Sequence, residues 1–120
     1  MREFSAAVFD LDGTLYRGSQ ALPYAAELIS SLRSRGIQLA FMTNNSSKTR
    51  EYQADKLFRF GMQAQPSEIW PSSRAAGAEC LRRGHNRVFV VGEEGLRTSL
   101  TEQGLRVGGM GHPDAVVVGI

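Results

Sequence analysis

Short apolar segments alternate with amphipathic segments along most of this 120-residue chain. The apolar segments are predicted as strands and cover residues 6–11, 37–43, 87–92 and 114–120. The segments between them repeat apolar residues every three or four positions, which predicts helices over 23–36, 48–60, 74–83 and 95–104. Strands that alternate with helices indicate a parallel α/β sheet with right-handed crossovers.

The apolar residues predict which faces of these elements are buried. We expect the inward faces of the first two helices to consist of Ala25, Leu28, Ile29, Leu32, Ala54, Leu57 and Phe58. Segment 37–43 is almost entirely apolar, which is typical of a parallel strand covered on both faces. Ser46 or Ser47 is placed to cap the second helix. Residues 63–73 contain two prolines and are predicted as an irregular connection.

Composition excludes several classes of protein. The chain is 42% hydrophobic and 22% charged, as in an ordinary globular protein, and its net charge is only +2. Its basic residues are scattered, which argues against a nucleic-acid-binding surface. A single cysteine excludes an internal disulfide, and no apolar segment reaches membrane-spanning length or forms a signal peptide. We therefore expect a cytoplasmic protein without a membrane partner.

Two aspartates end the first predicted strand. Asp10 and Asp12 are two positions apart, so they project from the same side, with Cα atoms roughly 6.5 Å apart. Such carboxylates repel each other unless a cation lies between them, and Mg²⁺ prefers oxygen ligands. A carboxylate can also attack phosphorus, and a second one can transfer protons. Gly13 permits a sharp turn beside a bound phosphate.

The alternative for these residues is a solvated Asp-Gly turn in which Asp12 caps a turn or helix. The pattern D-x-D-G-T argues against it, because that pattern arises by chance in only on the order of one in a thousand chains of this length. Its position at the carboxyl end of a predicted parallel strand, where α/β proteins bind ligands, also favours a functional site.

The end of the second strand supports the same site. The Thr43 hydroxyl can donate to a phosphate oxygen, and the polar turn that includes Asn44 and Asn45 precedes a helix N-terminus, which attracts anions. Alone, this turn has the composition of many ordinary turns. Beside the two aspartates it predicts a phosphate-binding loop.

These motifs resemble a known family. "FDLDGTLYRG" resembles motif I of the haloacid dehalogenase-like (HAD) hydrolase superfamily, and "FMTNNSS" resembles its motif II. Together they resemble most closely the nitrophenylphosphatase and sugar or nucleotide phosphatase branch (subfamily IIA), in which a large α/β cap follows motif II. The resemblance implies a Rossmann-like core over residues 1–80 and the first part of the cap over residues 81–120.

The resemblance also implies roles for residues. Asp10 would be the nucleophile and a Mg²⁺ ligand, and Asp12 the general acid/base, with its backbone carbonyl on the metal. Thr43 would hold the phosphate with Asn44 and nearby amides, and residues 15–18 would begin a small flap. The implied activity is Mg²⁺-dependent hydrolysis of a small phosphorylated metabolite through an aspartyl-phosphate. Sugar phosphates, nucleoside monophosphates and phosphoglycolate all remain open as substrates.

The chain departs from the family in one respect. The family completes its site with a lysine and an acidic metal-binding motif after the cap, whereas Lys48 and Lys56 both fall in the second predicted helix and suggest solvated surface. We therefore expect these residues to be the N-terminal part of a longer protein. The missing neighbour strand would expose the edge of residues 6–11, through which the chain could self-associate.

Two other functions remain open at this stage. One is a catalytically inactive fragment that binds phosphate weakly or interacts with another polypeptide. The other is a nucleotide-binding regulatory module, which only the α/β pattern supports.

Overall fold

The structure is a computed structural model that describes residues 3–119. It contains two separate hydrophobic cores, one in each of two compact units. The first unit contains residues up to 43 and residues 50–70, and the second contains residues 44–49 and those from 71 onward. Each contains parallel strands and helices, which confirms the predicted α/β class. The predicted division at residue 80 into a core and a cap stays a prediction.

The first unit is built on a parallel pair of strands. Its elements are β1 (Ala6–Asp10), the hairpin β2 (Tyr16–Arg17) and β3 (Gln20–Ala21), α1 (Ala25–Ser34), β4 (Gln38–Thr43), α2 (Arg50–Arg59) and β5 (Ile69–Pro71). The sheet has the order β1-β4-β5, and β1 runs parallel to β4 with Asp10 opposite Met42. Both predicted motif strands therefore exist and end at the same edge of the sheet.

Only one face of this sheet is covered. Ile29 of α1 and Leu57 of α2 join Leu39 and Phe41 of β4 in one core. The order β1-β4-β5 advances in one direction, so right-handed crossovers place both helices on the same face. On the other face Met42 is 55% exposed. The prediction that residues 37–43 are covered on both faces is therefore wrong within the part of the chain described.

The buried stripes of the helices are narrower than their sequences predict. Ala25, Ile29, Ala54 and Leu57 are buried as expected, but Leu28 and Phe58 are 47% and 73% exposed. A helix that packs on one side only buries a stripe of limited width, and these two residues fall outside it.

The β1 strand lies at an edge of the sheet order. A groove of about 630 Å³ runs beside it, and exposed Phe4 and Val8 contribute to its walls. Such an edge presents unpaired backbone groups. Self-association through this edge stays a prediction.

The second unit repeats the parallel arrangement. It contains α3 (Ser72–Arg82), β6 (Arg87–Val91), α4 (Glu94–Glu102), β7 (Arg106–Val107) and β8 (Ala115–Val118). The strand order is β7-β6-β8, all parallel. Its core is formed by Cys80, Val88, Val90, Leu96, Leu100, Leu105 and Val117. The predicted last strand is observed, although its final residue, Ile120, lies outside the described residues.

Two local predictions need correction. Residues 63–73 are not wholly irregular, since a 3₁₀ turn (Pro66–Glu68) leads directly into β5. The Glu68 carboxylate orders this turn by accepting hydrogen bonds from the Gln65 amide and from Arg33. Neither Ser46 nor Ser47 caps α2, because α2 begins only at Arg50.

Within residues 3–119, no helix combines the length and the apolar character that a bilayer crossing requires.

Candidate active site

Asp10 and Asp12 stand at the carboxyl end of β1 with exposed side chains. Leu11 between them is fully buried in the first core, so it anchors the backbone while its two neighbours face solvent. No hydrogen bond or ion pair to either carboxylate is found among residues 3–119. Both carboxylates are therefore available to a ligand from solvent.

A tight loop follows the strand. Gly13 has φ +89°, a left-handed conformation that favours glycine, and its N–H donates to the carbonyl of Tyr16 over 2.6 Å. The amides of Thr14 and Leu15 both donate to the Leu11 carbonyl. The sharp turn expected at Gly13 is therefore a closed loop that returns the chain beside Asp12.

The predicted flap begins where this loop ends. The two-stranded hairpin of β2 and β3 pairs Tyr16 with Ala21, and Gly18 at its tip has φ +59°. The Leu22 amide donates to the Leu15 carbonyl and closes the base of the hairpin.

Thr43 is the last residue of β4, one position beyond the partner of Asp10 in the sheet register. The structure therefore brings Thr43 and the aspartates to the same edge of the first sheet, as the sequence predicts. Thr43 is partly buried.

Asn44 and Asn45 belong to the second unit. The Asn44 carbonyl accepts a hydrogen bond from the Ser72 hydroxyl over 3.0 Å. The Asn45 side-chain oxygen accepts from the amide and the hydroxyl of Ser47, at 2.8 and 2.7 Å. This oxygen orders the loop, so a phosphate contact by Asn45 would have to come from its side-chain or backbone N–H groups.

The prediction that both lysines lie on a solvated helix surface is correct only in part: Lys48 is exposed but lies outside the helix, and Lys56 lies in the helix but is partly buried. Lys48 precedes α2 and pairs with Glu93 over 3.4 Å. Lys56 is in α2, partly buried, with its ammonium 4.3 Å from the centre of the Tyr16 ring. Lys48 is therefore engaged within the second unit, and Lys56 covers an aromatic ring of the first.

Tyr16 lies within the electric field of both aspartates. Burial of the phenol raises its pKa most, and the negative charges of Asp12 and Asp10 raise the pKa further. Its hydroxyl faces Gln53, a buried residue of α2. Sequence analysis missed Tyr16 and Gln53, and the one signal for Gln53 was a polar residue beside Ala54 in the apolar stripe of α2.

The donor set fits a divalent metal in part. Asp10 and Asp12 supply the hard oxygen ligands that Mg²⁺ or Ca²⁺ prefers. Across residues 3–119, however, no group of three or more His, Cys, Asp or Glu side chains comes together. The chain thus provides a pair of carboxylates, and further oxygen ligands would have to come from backbone, water, substrate or other residues.

Comparison with known proteins gives a consistent result. The chain is 38% identical to the 5'-nucleotidase YutF of Bacillus subtilis over 121 aligned positions, which cover all of this chain and 47% of that protein. It superimposes on the structure of a putative p-nitrophenyl phosphatase from Bacillus subtilis with a TM-score of 0.87 and 37% identity, covering 100% of this chain and 47% of that one.

A third similar protein was crystallised with a metal. The glycerol phosphate phosphatase Rv1692 of Mycobacterium tuberculosis, in complex with magnesium, matches with a TM-score of 0.85 and 33% identity, over 98% of this chain and 36% of that one. The chain spans about half the length of the curated relatives it matches.

The family comparison covers most of both units. A family model described as haloacid dehalogenase-like hydrolase matches residues 7–106, a range that includes both aspartates and the loop after β4. The resemblance seen in the motifs is confirmed, and the chain belongs to the haloacid dehalogenase-like hydrolase family.

Proposed function

We propose that these residues belong to a protein that hydrolyses small phosphomonoesters, with Asp10 as nucleophile and Asp12 as general acid/base. The observation that carries the proposal is the pair of exposed, unengaged carboxylates at the end of β1, on a loop closed by Gly13. The similar proteins are named for nucleotide, nitrophenyl phosphate and glycerol phosphate substrates. They share a phosphomonoester, which is the substrate class we propose.

The first half-reaction joins Asp10 to phosphorus. An Asp10 carboxylate oxygen attacks the phosphorus, and the bond from phosphorus to the ester oxygen breaks. Asp12 in its acid form donates its proton to that oxygen, so an alcohol leaves rather than an alkoxide. The product on the enzyme is an aspartyl-phosphate at Asp10.

The second half-reaction restores both aspartates. Asp12, now a carboxylate, accepts a proton from a water molecule whose oxygen attacks the phosphorus. The bond between phosphorus and Asp10 breaks, and inorganic phosphate is released. The Thr43 hydroxyl and the amides at Asn44 donate hydrogen bonds to phosphate oxygens and orient the group in both steps.

Mg²⁺ is the metal we propose for this site, held by the Asp10 carboxylate and the backbone carbonyl of Asp12. When bound, it neutralises charge on the phosphoryl oxygens and on the carboxylate pair. The magnesium complex of the similar mycobacterial phosphatase supports this choice.

A second candidate function is phosphate binding without turnover. The absence of a third acidic ligand near the pair within the described range favours it for these residues alone. Phosphoryl transfer depends on positive charge around the transferring group, and a carboxylate pair alone holds that charge loosely.

The test is Mg²⁺-dependent release of nitrophenol from para-nitrophenyl phosphate, with Asp10→Asn and the control Asp55→Asn. Asp55 is an exposed carboxylate on α2, so its replacement changes the net charge equally. We expect turnover by the wild type and by Asp55→Asn, loss with EDTA, and none from Asp10→Asn. Equal turnover by Asp10→Asn would exclude the proposed nucleophile. Saturable phosphate binding with no turnover by any variant would favour the second function.

A further inference from the structure

A buried tyrosine closes the loop that carries Asp12. Tyr16 is only 3% exposed, and its backbone carbonyl accepts the Gly13 N–H over 2.6 Å. The backbone of Asp12 also forms an isolated β-bridge with that of Tyr16. The position of Tyr16 therefore fixes the return of the chain beside Asp12.

The side chain of Tyr16 is held from several directions by α2 and the residue that follows it. The ammonium of Lys56 lies 4.3 Å from the ring centre, within range of a cation–π interaction. The Phe60 ring packs against it with centroids 5.1 Å apart. The phenol hydroxyl faces the Gln53 side-chain oxygen at 3.5 Å, the long end of hydrogen-bond distances. All of these residues belong to the first unit.

Gln53 and Tyr16 also satisfy each other. Gln53 is 4% exposed, although it is a polar residue in the middle of α2. A buried amide or phenol without a partner costs free energy, so this pair removes a penalty on both sides. The contact joins residues 37 positions apart and links the loop after β1 to helix α2.

Asp12 depends on the backbone of its loop for its position, because its side chain has no contact that fixes it among the residues described. Within residues 3–119, no hydrogen bond restrains its carboxylate, and the side chain is exposed. Its location then depends on the backbone of the loop. A proton donor must stay within reach of the leaving oxygen, so loss of that backbone order would slow the reaction.

We propose that Tyr16 is a positioning residue, whose hydroxyl on Gln53 and ring against Lys56 and Phe60 hold the loop of residues 11–16 and thereby Asp12. Its link to catalysis rests on the proposed function, whereas its effect on the loop does not.

The test is amide hydrogen exchange of Tyr16→Phe, followed by NMR, with Tyr24→Phe as the matched control. Tyr24 is 81% exposed, so its hydroxyl contributes no buried contact. We expect exchange at Gly13, Thr14 and Leu15 to rise about five- to tenfold in Tyr16→Phe, while the amides of β4 stay unchanged. An equal rise throughout the first unit, or no rise at all, would overturn the proposal.

A second variant keeps the aromatic ring intact. Gln53→Leu preserves the volume in α2 but removes the acceptor of the phenol hydroxyl. The same three loop amides should lose protection. If Gln53→Leu leaves them protected, the hydroxyl contact does not hold the loop and the proposal fails.

The link to catalysis has its own measurement. If the wild type hydrolyses nitrophenyl phosphate, Tyr16→Phe should lower kcat several-fold with KM nearly unchanged, because Asp12 acts on the transition state rather than on substrate binding. An unchanged kcat despite a loosened loop would overturn the positioning role. If the wild type shows no turnover, the proposed function fails for these residues, and the exchange data alone decide the effect on the loop.

Discussion

Each of the two units has a sheet with helices packed on one face only, but the strands and helices of the two units are connected differently. In the first unit, the order β1-β4-β5 advances in one direction, and right-handed crossovers put α1 and α2 on one face. In the second, α3 and α4 pack together beside the central strand β6, and no helix separates β7 from β8. Each sheet therefore leaves one apolar face exposed, as Val8 and Phe89 show at 62% and 54% exposure.

The strand ends differ more than the folds do. The carboxyl end of β1 carries two carboxylates, Asp10 and Asp12, that no group in residues 3–119 engages, whereas Glu93 follows β6 and pairs with Lys48 over 3.4 Å. A neutralised carboxylate before a helix stabilises a turn, while an unengaged pair can bind a cation or attack an electrophile. The comparison shows that two similar parallel sheets can present different residues at the carboxyl ends of their strands, and those residues rather than the fold set what each edge can bind.

The largest expected effect is on the rate of hydrolysis, which should fall when Asp12 is replaced but not when Glu93 is replaced. Asp12→Asn should slow hydrolysis of glycerol phosphate by about 10²–10⁴-fold, because its poor leaving group needs a proton. With nitrophenyl phosphate the same variant should release a burst of nitrophenol and then stall, since nitrophenolate leaves unaided but water still needs a base. Glu93→Gln should behave as wild type in both assays. Equal losses in the two variants would contradict the distinction between the strand ends.

Core truncation in each unit should show whether the two cores are separate. Phe41→Ala in the first core should cost about 3–5 kcal/mol of unfolding free energy, and Leu100→Ala in the second about 2–5 kcal/mol, because both leave cavities at fully buried positions. Hydrogen exchange during urea titration would assign each loss to a unit. If either variant destabilised both units equally, the division into two cores would be wrong.

Replacing one glycine in each unit compares the loop after β1 with the end of an ordinary helix, α4. Gly13 and Gly104 have φ +89° and +95°. At both residues the space that an added methyl group would occupy has no neighbouring atom within 4 Å. Replacement by alanine should therefore cost about 1–2 kcal/mol at each site through backbone strain alone. Only Gly13→Ala should also weaken Mg²⁺ binding, measured by calorimetry. A similar weakening in Gly104→Ala would indicate a global effect.

The smallest effect concerns acid stability of the first unit. Burial alone would raise the pKa of Glu68, but hydrogen bonds from Arg33 and the Gln65 amide outweigh it and hold the pKa below its ordinary value of 4.5. A lowered folded-state pKa stabilises the folded state above pH 4.5, and this contribution is lost as the pH falls through the folded pKa.

Glu68→Gln should therefore cost about 1 kcal/mol at pH 7 and less at pH 2, where a larger fraction of the Glu68 carboxyl is protonated. Urea denaturation at both pH values would measure it, with exposed Glu51→Gln as control. A loss at pH 2 as large as that at pH 7 would show that the ion pair with Arg33 is not its source.

The sequence predicts the four longest strands and places three of its candidate site residues at one edge of a sheet, for a physical reason; the roles of these residues stay predictions. Asp10, Asp12 and Thr43 follow apolar runs, and the ends of parallel strands share one edge, so local patterns suffice to place these residues together. The sheet-face prediction failed for residues 37–43 because covering the second face requires a crossover in the opposite direction, which the order β1-β4-β5 does not contain.

Contacts between distant segments could not be read from local patterns. The pairing of Tyr16 with Gln53 depends on the exact placement of α2 against the loop after β1, and neither residue belongs to a motif that predicts the other. Leu28 and Phe58 show the same limit, because the width of a buried stripe is set by the neighbouring element rather than by the helix itself.

We propose that the carboxyl end of β1 binds a divalent metal. A titration of the ¹⁵N-labelled chain with Mg²⁺, repeated with Asp10→Asn, tests it most directly without requiring turnover. We predict saturable shifts at the amides of Leu11, Asp12 and Gly13, no shift at Glu93, and loss of the response in Asp10→Asn. Shifts centred on Glu93, or a response that survives in Asp10→Asn, would exclude Asp10 as the metal ligand.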